Sequence, residues 1–157
     1  MRASGRNLRE IETMATGEID RLLAEGEELA DDEEFGQALG RFQAAWELLP
    51  APKDDQDAAV GILAATADCH FYLGAWDACR QTVQHAFRCG ADVANPFFRI
   101  RLGQSLYELG QEREAANWLV PVYLAEGREP FEADDPKYLE FFRSRLAPPP
   151  GGWPEGW

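Results

Sequence analysis

Small residues recur in pairs along the chain, and this recurrence constrains the fold more than any other feature of the sequence. Each pair belongs to one copy of a helix–turn–helix unit, and the copies begin at Ile19, Val60 and Pro96. The pairs are Gly26 with Ala38, Ala67 with Cys79, and Gly103 with Ala115. Two helices approach closely only where one of them carries a small side chain, because a large residue of the partner then fills the adjoining space. The pattern therefore predicts three pairs of packed antiparallel helices.

The spacing of apolar residues and the helix-stop signals predict where the helices lie. The first six are expected near residues 18–31, 34–49, 56–73, 76–89, 96–109 and 112–126. A seventh begins at Pro136, where Asp134 and Asp135 supply an acidic cap and apolar residues follow at helical spacing. We expect it to cover the open end of the array, since a terminal unit otherwise leaves its apolar face in water.

The order of small residues, together with Phe42 and Pro50 in the first copy, resembles the tetratricopeptide repeat family. The resemblance covers residues 19–129. It implies an all-α fold in which three such units stack as a short right-handed solenoid, with a C-terminal capping helix. Two departures stand out: seven additional residues, Lys53 to Ala59, separate the first two units, and Glu112 stands where an aromatic residue is usual.

The domain boundaries follow from this pattern. Residues 1–17 are interpreted as an N-terminal extension, 18–146 as the repeat domain with its capping helix, and 147–157 as a tail rich in Pro, Gly and Trp. The prolines of the tail exclude a helix and favour an extended conformation. We expect its Trp153 and Trp157 to fold back on the core in preference to docking a partner.

The chain is strongly acidic, with 28 acidic and 15 basic residues and a net charge of −13. This charge disfavours nucleic acid and anionic lipid and favours a basic partner, although an acid excess can also serve solubility alone. One acidic run crosses the first inter-helix turn without an intervening base. It comprises Glu25, Glu27, Glu28, Asp31, Asp32, Glu33 and Glu34. The run is interpreted either as a solvated face or as a docking site, and the sequence leaves both open.

The remaining residues of potential chemical interest do not form a familiar catalytic or metal-binding motif. His70 beside Cys69, and His85 four residues before Cys89, could hold zinc in principle, but CxxC and HxxxH spacings are missing. A Cys–His nucleophilic pair would lack an oxyanion motif, and the glycines stand singly rather than in a phosphate loop. The sequence therefore predicts a non-enzyme without metal or cofactor. Because an apolar run of about 20 residues and a signal sequence are both lacking, we expect a cytoplasmic protein whose cysteines stay reduced.

In the family that the chain resembles, the first helix of each unit lines a concave groove. The residues expected to line it here are Asp20, Leu23, Glu27, Asp31, Asp68, Phe71, Tyr72, Phe97, Ile100, Gln104, Tyr107 and Glu108. Aromatic anchors interleaved with carboxylates suit a basic, partly apolar partner protein. Phe71 and Phe97 are equally compatible with a role in the core. Family members that clamp acidic chaperone tails present Lys, Arg and Asn from the inner positions. The matching places here hold Leu23, Glu27, Ala65 and Phe97, and only Arg101 agrees, so that function is not expected.

Two functions are compatible with these features. The segment NPFFRIRLGQSLYELG, followed by DDPKYLEFFRSRL, resembles a group of small stand-alone bacterial repeat proteins, some of them associated with toxin loci. This resemblance implies an immunity protein that binds and neutralises a basic toxin. The alternative is a secretion chaperone or adaptor, which would cradle an extended client segment in a groove open at both ends. The sequence does not predict an oligomeric state.

Overall fold

The computed structural model describes residue 5, residues 7–155 and residue 157. These described residues form seven α-helices, two short 3-10 helices and no β-strand, which confirms the predicted all-α class. The α-helices are α1 (Leu8–Asp31), α2 (Phe35–Glu47), α3 (Ala59–Tyr72), α4 (Trp76–Arg88), α5 (Pro96–Glu108), α6 (Glu112–Glu126) and α7 (Pro136–Arg143). The 3-10 helices are Lys53–Asp55 and Glu129–Phe131. Within the same described residues, no helix is both long enough and apolar enough to cross a membrane.

Helices α1 to α6 form consecutive pairs, and each helix packs mainly on its neighbours in sequence. A three-residue turn joins the helices of each pair, and its middle residue has a positive φ: Glu33 at 59°, Gly74 at 71° and Gly110 at 79°. In each turn the next residue donates its backbone N–H to the carbonyl five residues earlier, at 2.8–2.9 Å, and so closes the preceding helix. The three turns are therefore equivalent in geometry as well as in spacing.

The small residues lie where the sequence places them. Gly26 packs beneath the ring of Phe42, and a β-carbon added at Gly26 would stand 2.5 Å from that ring. Gly103 lies in the same way beneath Leu119, which an added β-carbon would overlap. The other four small residues, Ala38, Ala67, Cys79 and Ala115, are completely buried. The predicted close contacts are confirmed for the first and third pairs, and the small residues of the second pair are buried.

Helix α1 is longer than the sequence indicates, because it begins at Leu8 rather than near residue 18. Asn7 caps this end: its side chain accepts a hydrogen bond from the backbone N–H of Glu10 at 2.9 Å. The first turns expose their apolar residues, with Leu8 78% accessible. Part of the segment interpreted as an N-terminal extension thus continues α1, whereas residues 1–4 and 6 lie outside the described part of the chain.

The seven additional residues between the first two pairs form an ordered connection rather than a longer helix. Lys53 sits at the start of the 3-10 helix, and its ammonium group donates to the carbonyl oxygens of Trp46, Glu47 and Leu49 at 2.7–3.1 Å. These carbonyls at the end of α2 have no partner within the helix, and a cation there also complements the helix dipole. The Lys53 contact fixes the connection against the end of α2.

The C-terminal helix α7 begins as predicted, with Pro136 in its first turn and the Asp135 side chain accepting from the N–H of Lys137 at 2.9 Å. Its buried residues are Tyr138 and Phe142. Tyr138 contacts aromatic rings of α3 and α5, and Phe142 contacts Tyr123 of α6. The helix therefore lies across α5 and reaches α3, in addition to covering the end of the last pair.

The tail folds back on the core, as expected for its two tryptophans. The rings of Trp153 and Trp157 lie edge-on to Tyr123, with centroids 5.4 and 5.7 Å away. Tyr123 is itself completely buried. The tail thus packs against α6 at the residue that Phe142 of α7 also contacts.

Replacing Gly103 with Ala is expected to lower the free energy of unfolding by about 1–3 kcal/mol, because the added methyl group would overlap Leu119. Gly61→Ala in α3 is the matched control, since a β-carbon there meets no atom within 4 Å. The control should gain about 0.5–1 kcal/mol from the higher helix propensity of alanine. Urea denaturation measures both. If both substitutions changed the free energy of unfolding in the same direction, the close approach of α5 to α6 would be contradicted.

Candidate partner-binding surface

The predicted groove residues differ sharply in accessibility. Asp20, Glu27, Asp31 and Tyr72 are exposed; Leu23, Asp68, Phe97, Tyr107 and Glu108 are half-buried; Phe71, Ile100 and Gln104 are buried. Gln104 is completely inaccessible, and Phe71 belongs to the largest apolar cluster. These buried residues can touch a partner only if the elements above them move. The set thus divides into a part that solvent reaches and a part that the protein itself covers.

Arg101 of α5 occupies the centre of the predicted groove, although only 8% of its surface is exposed. Its guanidinium donates to Asp68 at 2.7 Å, to Gln104 at 2.9 Å, and to Asp134 and the Tyr72 hydroxyl at 3.1 Å. Burial alone would lower the pKa of Arg101, but Asp68 and Asp134 outweigh it and hold that pKa above its usual value. The groove centre is therefore filled by a satisfied internal cation.

Aromatic rings surround this cation. The Arg101 guanidinium carbon lies 4.2 Å from the ring centroid of Phe71, 5.2 Å from that of Tyr72 and 5.8 Å from that of Phe97. Such cation–π contacts hold the guanidinium plane in place. Phe71 and Phe97 thus serve the interior, one of the two roles that the sequence allows for them.

Helix α7 covers the α5 side of the groove. The hydroxyl of Tyr138 donates to Glu108 at 2.7 Å, and the ammonium group of Lys137 also pairs with Glu108. Burial and this hydrogen bond raise the pKa of Tyr138, and the hydrogen bond to Glu108 raises the pKa of Lys137. Tyr107 packs against the rings of Tyr138 and Phe141, 5.7 and 4.5 Å between centroids. We call this region, formed by Gln104, Tyr107, Glu108 and α7, the closed half of the groove.

The other side remains accessible and combines acids with an aromatic stack. The rings of Phe35, at the start of α2, and Tyr72, at the end of α3, stack with centroids 4.7 Å apart and an interplanar angle of 14°. Tyr72 is 46% exposed, and burial of the rest of the ring raises its pKa. Glu27 and Asp31 of α1 are exposed. We call the region of Glu27, Asp31, Phe35 and Tyr72 the open half.

Within the part of the chain that the structure describes, no ion pair reaches the acids of the open half. Among the described residues, ion pairs reach Glu18 and Glu25 through Arg21 and Arg41, but none involves Glu27, Glu28 or residues 31–34. Asp20, predicted for the same groove, lies about three helical turns before Asp31. There it lines a separate cleft between the first half of α1 and the loop after α2. The open half is thus a compact acidic surface with one exposed aromatic residue.

Sequence comparisons add no relative from which a role could be inferred. No protein-family model and no curated protein matches the chain. The function must therefore be argued from the geometry of the described surface and from the chemistry of its residues.

Sequence reasoning missed the central ion pair of the groove. Asp134 was interpreted as part of the acidic cap of α7, whereas Asp135 is the cap and Asp134 turns inward to Arg101 and Gln104. The only available signal was Arg101 itself, a cation at a groove position on an otherwise acidic face. A cation there requires nearby carboxylates, but their identity depends on how α7 crosses the groove.

The buried thiols do not provide a nucleophile. Burial raises the pKa of Cys69 and Cys79 to about 11, so both thiols are protonated at neutral pH. Burial also lowers the pKa of His70. No hydrogen bond between the residues that the structure describes joins a cysteine to a histidine. Neither Cys69 nor Cys79 therefore forms a thiolate–imidazole pair.

Proposed function

We propose that this chain is a tetratricopeptide-type protein-binding module in which three helix pairs form a short right-handed solenoid capped by α7. The three equivalent turns and the recurrent small contacts support this architecture. Its role is that of a cytoplasmic immunity protein, which binds and neutralises a basic bacterial toxin. The activity is binding, without catalysis.

The open half carries this proposal. Its carboxylates, Glu27 and Asp31, lie on neighbouring turns of α1, and Asp32, Glu33 and Glu34 follow in the next turn, so like charges repel one another. A basic partner relieves this repulsion and is steered toward the surface over a distance of about 10 Å at moderate salt. The stacked, half-exposed Tyr72 provides the aromatic anchor that such interfaces commonly use. The combination fits a protein with a cationic active site.

The same geometry favours an inhibitor over a secretion chaperone or adaptor. An extended client segment requires a groove open at both ends, but α7 and the Arg101 network occupy the α5 side. Such a client would have to displace Tyr138, which is 3% exposed. A folded toxin that covers the open half requires no such displacement.

The toxin hypothesis is tested by expressing the coding sequences that neighbour this one in a bacterial host, alone and together with this chain. We expect the product of one neighbouring coding sequence to arrest growth when it is expressed alone. Growth should continue when the wild-type chain is expressed with it. The Glu27→Lys/Asp31→Lys variant should protect less. Growth arrest that the wild-type chain does not relieve, or a neighbour that encodes secretion machinery and binds this chain, would favour the chaperone.

Binding kinetics should separate the two components of the surface. Glu27→Lys/Asp31→Lys is expected to reduce the association rate about tenfold or more at low salt, because steering is lost. Tyr72→Ala should raise the dissociation rate about 30-fold, equivalent to roughly 2 kcal/mol at an aromatic hot spot. Surface plasmon resonance with the identified partner measures both rates.

The matched control is Glu114→Lys/Glu126→Lys on α6, which changes the net charge equally on two other exposed carboxylates. It should slow association far less than the α1 pair does. Equal slowing by both double variants would show that only the overall charge matters, and that the open half is not the docking surface.

A further inference from the structure

We propose that Asp54, His85 and Cys89 form a zinc-binding site between the Lys53–Asp55 segment and α4. This inference is independent of the proposed function. The ligand atoms of the three residues all lie within 4.8 Å of one another, and they form the candidate metal-binding group among the described residues. The groups involved are one carboxylate, one imidazole and one thiol.

Two of the ligands are brought together by local structure alone. His85 and Cys89 are four residues apart at the end of α4, so their side chains leave the same face of the helix one turn apart. The sequence shows this pair but offers no third ligand near it. Because two groups on one helix turn bind a metal only weakly, the site depends on what the fold places opposite them.

The third ligand comes from the residues added between the first two helix pairs. The carboxylate Oδ1 of Asp54 lies 2.7 Å from Nε2 of His85, 31 residues away along the chain. In a tetrahedral zinc site, bond lengths of 2.0–2.3 Å place neighbouring ligand atoms roughly 3.3–3.6 Å apart. The imidazole and carboxylate must therefore separate slightly to admit the ion, which side-chain rotation can accomplish.

The surroundings hold two of these ligands in position. Lys53, adjacent to Asp54, is anchored on the last carbonyls of α2. The ring of Trp46 packs edge-on to His85 with centroids 5.3 Å apart. Arg88 and Asp55 lie near enough to Cys89 to act on it with opposite charge. The site therefore has a partly preorganised geometry without an excess of local positive charge.

The donor set selects the metal. Calcium and magnesium prefer oxygen ligands, whereas a thiolate and an imidazole with one carboxylate suit zinc and its spectroscopic substitute cobalt. Three protein ligands leave a fourth position for water. Zinc takes the thiolate form, so binding releases the thiol proton. The simpler alternative is that His85 and Asp54 form only an ion pair and that Cys89 stands beside it.

Cobalt titration of the full-length, reduced, metal-free protein distinguishes these possibilities. We expect one Co²⁺ per chain, a thiolate-to-cobalt charge-transfer absorption in the near ultraviolet, and loss of that absorption on addition of zinc. Cys89→Ser should abolish the absorption. Asp54→Asn and His85→Gln should weaken binding roughly 100-fold or more, above the 10–100-fold typical of groups that only support a ligand.

Asp57→Asn and His70→Gln are the controls, because neither residue belongs to the cluster, and both should bind like wild type. Zinc at about 100 times its measured Kd should raise the Tm of the wild-type protein by roughly 5–10 °C and leave that of Cys89→Ser unchanged. A cobalt spectrum without the charge-transfer absorption, or equal Tm shifts in wild type and Cys89→Ser, would overturn the site and leave the ion pair.

Discussion

Arg101→Met should destabilise the protein by about 3–5 kcal/mol, the loss typical of removing one partner from a buried ion pair. The methionine fills a similar volume, but it leaves the Asp134 carboxylate, whose side chain is 7% exposed, without its cation. Gln104 also loses a hydrogen-bond partner. Urea denaturation measures the loss as a lower midpoint.

Two variants control this interpretation. Arg80→Met removes an arginine whose partner, Asp77, is more than half exposed, and it should lose far less stability. Asp134→Asn, added to Arg101→Met, should recover part of the loss because no charge then remains buried there. If Arg101→Met is as mild as Arg80→Met, or if the second change deepens the loss, the Arg101 network does not organise the groove.

Phe42→Ala should likewise cost about 3–5 kcal/mol, since Phe42 is 2% exposed and its removal leaves a cavity above Gly26. Glu33→Gln, at the exposed turn, should have almost no effect on stability, because glutamine adopts the same backbone conformation at a similar cost. Thermal or urea unfolding of the two variants gives the comparison. Similar losses would contradict the assignment of Phe42 to the core.

A double-mutant cycle tests whether Phe42 and Gly26 form one contact. In the wild-type background, Gly26→Ala should destabilise, because the new methyl group would stand 2.5 Å from the Phe42 ring. In the Phe42→Ala background the same change fills part of the cavity and improves helix propensity, so it should stabilise. Additive effects would show that the two residues are not in contact.

The helix pairs could be predicted from the sequence because their determinants are local and repeated. The small residues and the apolar spacing indicate the same arrangement for the three pairs. The start of α1 could not be predicted in this way. Its first turns expose Leu8, Ile11 and Met14, so the spacing of the apolar residues there does not indicate a buried helix face. Only the capping residue Asn7 marks where the helix begins.

The candidate site was predictable only in part. The sequence places Glu27, Asp31 and Tyr72 on inward positions, and the structure leaves them accessible. It could not predict that α7 covers the α5 side, because the contact between Arg101 and Asp134 joins residues 33 apart through the path of a loop. The Phe35–Tyr72 stack is also a contact between different helix pairs, which local spacing does not encode.

Hydrogen–deuterium exchange of the chain, free and bound to its partner, tests the central claim most directly. The amides of the turn at residues 32–34 and of the turn at 73–75 border the open half and should exchange more slowly in the complex. Residues 112–126 in α6 should exchange equally in both states. Protection confined to α4 and α6, with the two turns unchanged, would contradict binding through the open half.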